Sequence, residues 1–147
     1  MEETQGGFLI SKLKQVQGRI FERLLNEAGI LEFNGAQGRI LYVLWQEDRL
    51  PIVDLSKRTG LAKTTLTGML DRMESQGYVV RVPGISDRRQ LLVALTVKSR
   101  GLQDAYSRVS EQMNALFYRG FTREDIQLFE GTLKRILNNL SESEEQL

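Results

Sequence analysis

A mainly α fold is predicted, with a winged helix-turn-helix lobe at its centre and long helices at both ends, on three observations. Apolar residues recur at three- and four-residue steps near both ends of the chain. Between them a short helix, a glycine-containing turn and a second helix follow one another, and two β-prone runs around a polar tip come directly after. At 147 residues the chain is expected to be one domain, with the lobe over about residues 30–96 and the long helices over about 8–29 and 97–141.

The elements are justified in order. Phe8, Leu13, Val16, Ile20, Leu24 and Leu25 mark an amphipathic helix over about residues 8–28, which Gly29 is placed to stop. Asn34 and Gln37 have the spacing of a capping box for a second helix, apolar at Ile40, Leu41, Val43, Leu44 and Trp45 and ending near Glu47. Pro51 suits the first turn of a short helix carrying Val53, Leu55 and Ser56, stopped at Gly60. A helix over 63–75 then buries Leu66, Met69, Leu70 and Met73, and Gly77 closes it.

YVVRV and QLLVALT read as strands, and the PGISDRR between them as a projecting turn. Thr96 is placed to cap one long helix with Leu102, Ala105, Tyr106, Val109, Met113, Leu116 and Phe117 on its apolar side. Phe121 and Ile126 around Thr122 and Asp125 form a staple and a capping-box variant for the last helix, and the acidic SESEEQL end is expected to fray.

Composition excludes several classes of function. The chain has no cysteine and no histidine, so it has neither a thiolate metal site nor a thiol switch, and the commonest general base and metal ligand is missing. Carboxylates are plentiful, but no Gly-rich phosphate loop or metal-spaced cluster accompanies them, and an enzyme, a metal and a cofactor are therefore not expected. No apolar run approaches the ~18 residues of a membrane span, and the MEETQGG start lacks the apolar core of an export signal, which leaves the cytoplasm as the expected location.

The net charge of +1 hides an asymmetry. Residues 57–100 hold nine basic residues against three acidic ones, a net of +6, so the remainder carries −5. A positive block between acidic flanks is the footprint of a module that binds a polyanion. At about 100° per residue, burying Leu66, Leu70 and Met73 turns Lys63, Thr64, Thr67 and Gly68 outward and leaves Thr65 and Arg72 on the flanks. Threonine is a weak helix former, whereas its hydroxyl can bond base edges or phosphates and its methyl can meet the methyl of thymine. Arg88 and Arg89 stand at the hairpin tip, where a guanidinium suits the negative potential of a narrow minor groove; Asp87 beside them is expected to bond the tip or orient an arginine.

The stretch LSKRTGLAKTTLTGMLDRMESQGYVVRVPGISDRRQLLVALT, with its LDRMESQGYV helix exit, DRR wing and LT opening the next helix, resembles the core of the MarR family of regulators. The resemblance implies a homodimer built from the first and last two helices, in which each lobe reads half of a pseudo-palindrome in double-stranded DNA. It further implies repression relieved by a small amphipathic or aromatic ligand. By position, Lys63, Thr64, Thr65 and Thr67 would touch the major groove, Arg88 and Arg89 would belong to the wing, and Asp71 would pair with Arg89 to tie wing to helix. Ala62, where many relatives have a hydroxyl cap, and Gly68, where a longer side chain is common, depart from the pattern.

The expected function is thus a DNA-binding transcriptional regulator. A winged helix used for protein contacts is the alternative, and it would need an apolar outward face on the 63–75 helix. Phe21, Tyr42, Trp45, Tyr106 and Phe117 could line a ligand pocket, but aromatics at helical spacing are far more often core, and the ligand site stays unassigned.

Overall fold

The computed structural model describes residues 3–30 and 35–146. It divides into two compact units, Met1–Glu111 and Gln112–Leu147. The first contains α1 (Gly6–Glu27), α2 (Gly35–Gln46), β1 (Leu50–Pro51), α3 (Ile52–Thr59), α4 (Lys63–Ser75), β2 (Val79–Pro83), β3 (Leu91–Leu95), α5 (Val97–Arg100) and the start of α6 (Gln103–Phe117). The second contains the end of α6 and α7 (Arg123–Gln146).

Glycine sets the ends of α1, α3 and α4. Gly29, Gly60 and Gly77 all have left-handed φ values, between 77° and 84°, where a side chain would be strained. After α1, the Ile30 N–H reaches the Leu25 carbonyl (2.9 Å) and Gly29 bonds Asn26 (3.0 Å). After α4, Tyr78 reaches Met73 (2.9 Å) and Gly77 bonds Glu74 (3.1 Å). Both are Schellman endings, and in each the residue beyond the glycine, Ile30 or Tyr78, is buried and fastens the chain to the core. The proposed cap at Asn34 lies outside the described residues.

The core is one cluster: Leu25 of α1, the inner face of α2, Leu55 of α3, Leu66, Met69, Leu70 and Met73 of α4, Val79, Val93 and Leu95 of the sheet, and Tyr106 and Val109 of α6. It holds α3 and α4 against α2 and the sheet, and so decides which face of α4 is left outside.

Three elements differ from the sequence expectation. Pro51 stands at the N-cap of α3 rather than in its first turn, because it also belongs to β1, where Leu50 pairs with Val93 and Pro51 with Leu92. The hairpin is thereby the larger part of a three-stranded antiparallel sheet of order β1-β3-β2. The long helix expected from Thr96 is broken into α5 and α6 by a turn at Gly101–Leu102. There the Leu102 N–H bonds the Ser99 carbonyl (3.2 Å), a tightened i−3 bond, and the same carbonyl accepts the Trp45 indole N–H (3.1 Å). Thr96 does cap: its hydroxyl accepts the Ser99 N–H (3.2 Å) while the Ser99 hydroxyl accepts the Thr96 N–H (3.0 Å).

In the second unit α7 opens on a reciprocal box. The Thr122 N–H donates to Asp125 (2.9 Å) and the Asp125 N–H donates to the Thr122 hydroxyl (3.1 Å). The Phe121 side chain is half exposed, with its ring edge-on to Tyr118. The helix runs through the acidic end to Gln146, with an Asn138–Glu142 side-chain bond (3.3 Å) across one turn.

Candidate nucleic-acid interface

The turn between α3 and α4 is made rigid by side chains. The Thr59 hydroxyl donates to the Leu55 carbonyl (2.6 Å) and accepts the Leu61 N–H (3.2 Å), and the Ser56 hydroxyl donates to the Leu61 carbonyl (2.6 Å). Thr59 is buried in this role, which the sequence reading did not assign to it. The angle at which α4 leaves α3 is therefore fixed by hydrogen bonds as well as by the αL turn at Gly60.

With its apolar stripe buried, α4 turns Lys63, Thr64, Thr65, Thr67, Gly68, Asp71 and Arg72 to the outside. Thr64, Thr67, Gly68 and Asp71 stand at i, i+3, i+4 and i+7 and form one line along the helix. Thr65 and Arg72 flank it. The Thr67 hydroxyl donates to the Lys63 carbonyl (2.8 Å), so this side chain offers an approaching molecule acceptor lone pairs and a methyl, not a donor. Ala62 at the N-cap makes no side-chain cap, and a Cβ on Gly68 would meet nothing within 4 Å.

The wing is closed by backbone bonds. The Gly84 N–H donates to the Gln90 carbonyl (2.7 Å) and the Gln90 N–H to the Asp87 carbonyl (3.1 Å). A Cβ at Gly84 would stand 2.5 Å from the Asp87 carbonyl oxygen, so the tip closes this tightly only on glycine. The Asp87 carboxylate accepts both the Arg89 N–H (3.0 Å) and its Nε–H (3.2 Å). Arg89 remains 93 % exposed, and Arg88 and Ile85 are exposed beside it.

The expected tie between Asp71 and Arg89 is not formed. Asp71 pairs instead with Arg81 of β2 (2.8 Å), while Arg89 is held by Asp87 within the tip. The reason is register: Arg81 lies only six residues beyond the end of α4, opposite Val93, on the side of the sheet that carries the buried Val79, Val93 and Leu95. From there it faces α4. It also pairs with Glu74 (3.1 Å), and its own backbone N–H donates to that carboxylate (3.1 Å). The sequence reading missed Arg81 and Glu74. Alternation along β2 puts Arg81 in step with the inward-facing Val79, which calls for a carboxylate partner without saying which one.

The aromatic residues considered for a pocket take structural places. Phe21 meets Tyr106 edge-on at 5.5 Å between centroids, and Trp45 lies 5.1 Å from the same ring. Burial pushes the Tyr106 hydroxyl up to about 12. Tyr42 is half exposed, and Phe117 packs on Tyr118 and Phe129 within the second unit. Among the described residues there is no cluster of metal-ligating side chains and no helix long and apolar enough to cross a membrane.

Comparison with known proteins agrees with this geometry. Residues 33–91 match the model of the MarR family. The chain is 34 % identical over 101 residues to the HTH-type transcriptional regulator SarZ of Staphylococcus saprophyticus, covering 68 % of this chain and 64 % of that protein. It is 33 % identical over 94 residues to the homoprotocatechuate degradative operon repressor of Escherichia coli, covering 62 % of each. It thus spans somewhat less than two thirds of the length of these relatives. Among solved structures, a MarR mutant from E. coli in complex with operator DNA superposes with a TM-score of 0.77 at 27 % identity, over 89 % of this chain and 92 % of that one.

Proposed function

The chain belongs to the MarR family, and from that premise we propose that it is a homodimeric, sequence-specific regulator of transcription that binds double-stranded DNA in the cytoplasm. It acts as a repressor, released by a small amphipathic or aromatic ligand, and carries out no catalytic step. The observation that carries this reading is the outward face of α4, which is polar and hydroxyl-rich where a protein-docking helix would expose apolar side chains, with the exposed Arg88 and Arg89 of the wing beyond it.

In this reading α4 lies in the major groove, with the threonines toward base edges and Lys63 and Arg72 toward phosphates. The wing reaches the flanking backbone or minor groove with Arg88 and Arg89, and Asp87 keeps Arg89 extended. Asp71 acts at the root of the wing, not at its tip, through Arg81. The repressor assignment is supported by the named role of the E. coli relative.

Selection from a random-sequence duplex library with the purified protein tests the proposal. A pseudo-palindrome is expected, bound at ~10⁻⁸ M or tighter at physiological salt. No enrichment above a mixed-sequence duplex would overturn it.

A further inference from the structure

The stripe assigned to the DNA ends on an acid. Asp71 continues the line of Thr64, Thr67 and Gly68, its side chain is 64 % exposed, and Glu74, 42 % exposed, stands one turn on. A carboxylate turned toward a duplex repels phosphates across any distance shorter than the Debye length, ~10 Å at moderate salt. A helix built to enter a groove has to compensate that charge locally or lose affinity.

We propose that Arg81 is the positioning residue that makes this acidic end of α4 compatible with DNA, by neutralising Asp71 and Glu74 from beneath and anchoring the base of the wing to the helix in the same contact. This rests on the DNA-binding role of α4 proposed above. Arg81 is built for the task. Its side chain is only 19 % exposed, whereas those of the two acids it bridges are 64 % and 42 % exposed, so the cation sits on the protein side of both. The planar fork spends one terminal nitrogen on each acid, Nη2 to Asp71 at 2.8 Å and Nη1 to Glu74 at 3.1 Å, a division that one ammonium point charge does not reproduce. The Arg81 backbone N–H to Glu74 (3.1 Å) adds a contact that does not depend on its side chain and fixes where β2 leaves α4. The wing is thus aligned at its root, by a residue that itself touches no nucleic acid.

The test compares dissociation constants over a salt series on a duplex selected by the wild-type protein and on a mixed-sequence duplex, with thermal melting to check each fold. Arg81→Gln should weaken both duplexes about fivefold to tenfold at low salt, the loss shrinking as salt screens the exposed carboxylates. Adding Asp71→Asn and Glu74→Gln to that variant should restore binding to the mixed-sequence duplex to within about twofold of wild type. Adding Glu22→Gln and Glu27→Gln on α1 instead should not. An unweakened Arg81→Gln protein, a loss that neutralising Asp71 and Glu74 leaves in place, or equal recovery from the α1 pair would each overturn the proposal. If Arg81→Gln melts below the assay temperature, Arg81→Lys replaces it: retention of most non-specific affinity is expected, and a tenfold loss despite the retained charge would overturn the role in neutralisation. Should the wild-type protein bind neither duplex, the DNA-binding reading itself has failed, and that outcome is seen before any variant is compared.

Discussion

Two glycines in helices show how one missing methyl group answers to different constraints. At Gly38 a Cβ would stand 2.6 Å from the Tyr106 hydroxyl and 2.8 Å from its ring, inside the aromatic packing with Phe21 and Trp45. At Gly68 it would enter open space on a regular helix. Gly38→Ala should therefore destabilise the fold by about 1–3 kcal/mol through overpacking, while Gly68→Ala should stabilise it by about 1 kcal/mol through helix propensity, both read from urea unfolding midpoints. At the interface, residues separate by what they touch. Arg88→Ala or Arg89→Ala should weaken selected and unrelated duplexes alike and flatten the salt dependence by about one unit per lost phosphate contact. Thr64→Val should cost the selected duplex about 1–3 kcal/mol and leave the salt slope unchanged; equal losses on both duplexes would place base readout on another face. Thr67→Val should cost less, since that hydroxyl already donates to Lys63. The candidate side chains were legible in the sequence because residue type and helical phase suffice to find them. The partner of Asp71 was not, because choosing Arg81 over Arg89 requires the strand register, which no local pattern states.

Among the elements, legibility followed length and punctuation. α1, α3, α4 and the hairpin could be read because apolar periodicity runs through them and Gly29, Gly60 and Gly77 stop three of them in the αL conformation. β1 could not, since two residues show no alternation and become a strand only by lying against β3. The break between α5 and α6 was hidden for the opposite reason. Gly101 keeps helical angles, the apolar beat continues past it, and the tightening comes from a tertiary bond to Trp45. The cap that opens α5 also joins elements: the Thr96 hydroxyl donates to the Gly77 carbonyl (2.7 Å), fastening α5 to the turn between α4 and β2. Thr96→Val, which keeps the shape and removes both bonds, should cost about 2 kcal/mol, more than the ~1 kcal/mol of a simple N-cap. A shift in denaturation midpoint no larger than that of a cap alone would show that the bond to Gly77 contributes nothing.

The whole molecule exposes more apolar surface than a solitary chain comfortably carries. In the first unit Phe8, Leu9, Ile10, Leu13 and Val16 of α1 are exposed, and in the second Leu128, Leu137 and Leu140 of α7 are each more than 60 % exposed. In the proposed dimer a second copy covers these faces. Light scattering should give a mass of two chains, and inserting roughly 5 bp between half-sites spaced ~10 bp apart should abolish binding, because the second lobe would then meet the wrong side of the duplex. Unchanged affinity after the insertion would reject a two-lobed reader. This scale was the least legible, because periodicity marks a helix face as apolar without saying what lies against it. The sheet carries a different consequence for the molecule at large. Its outer strands are β1 and β2, and the chain's two prolines, Pro51 and Pro83, fall one on each. Proline blunts a strand edge as a template for further pairing, so the protein is guarded against sheet-to-sheet aggregation on both flanks while its helices stay adhesive. A Pro51→Val, Pro83→Val variant should keep its helical circular dichroism yet lose soluble yield on refolding at high concentration, with the precipitate binding amyloid dyes; full recovery would show that the prolines serve only the turns beside them.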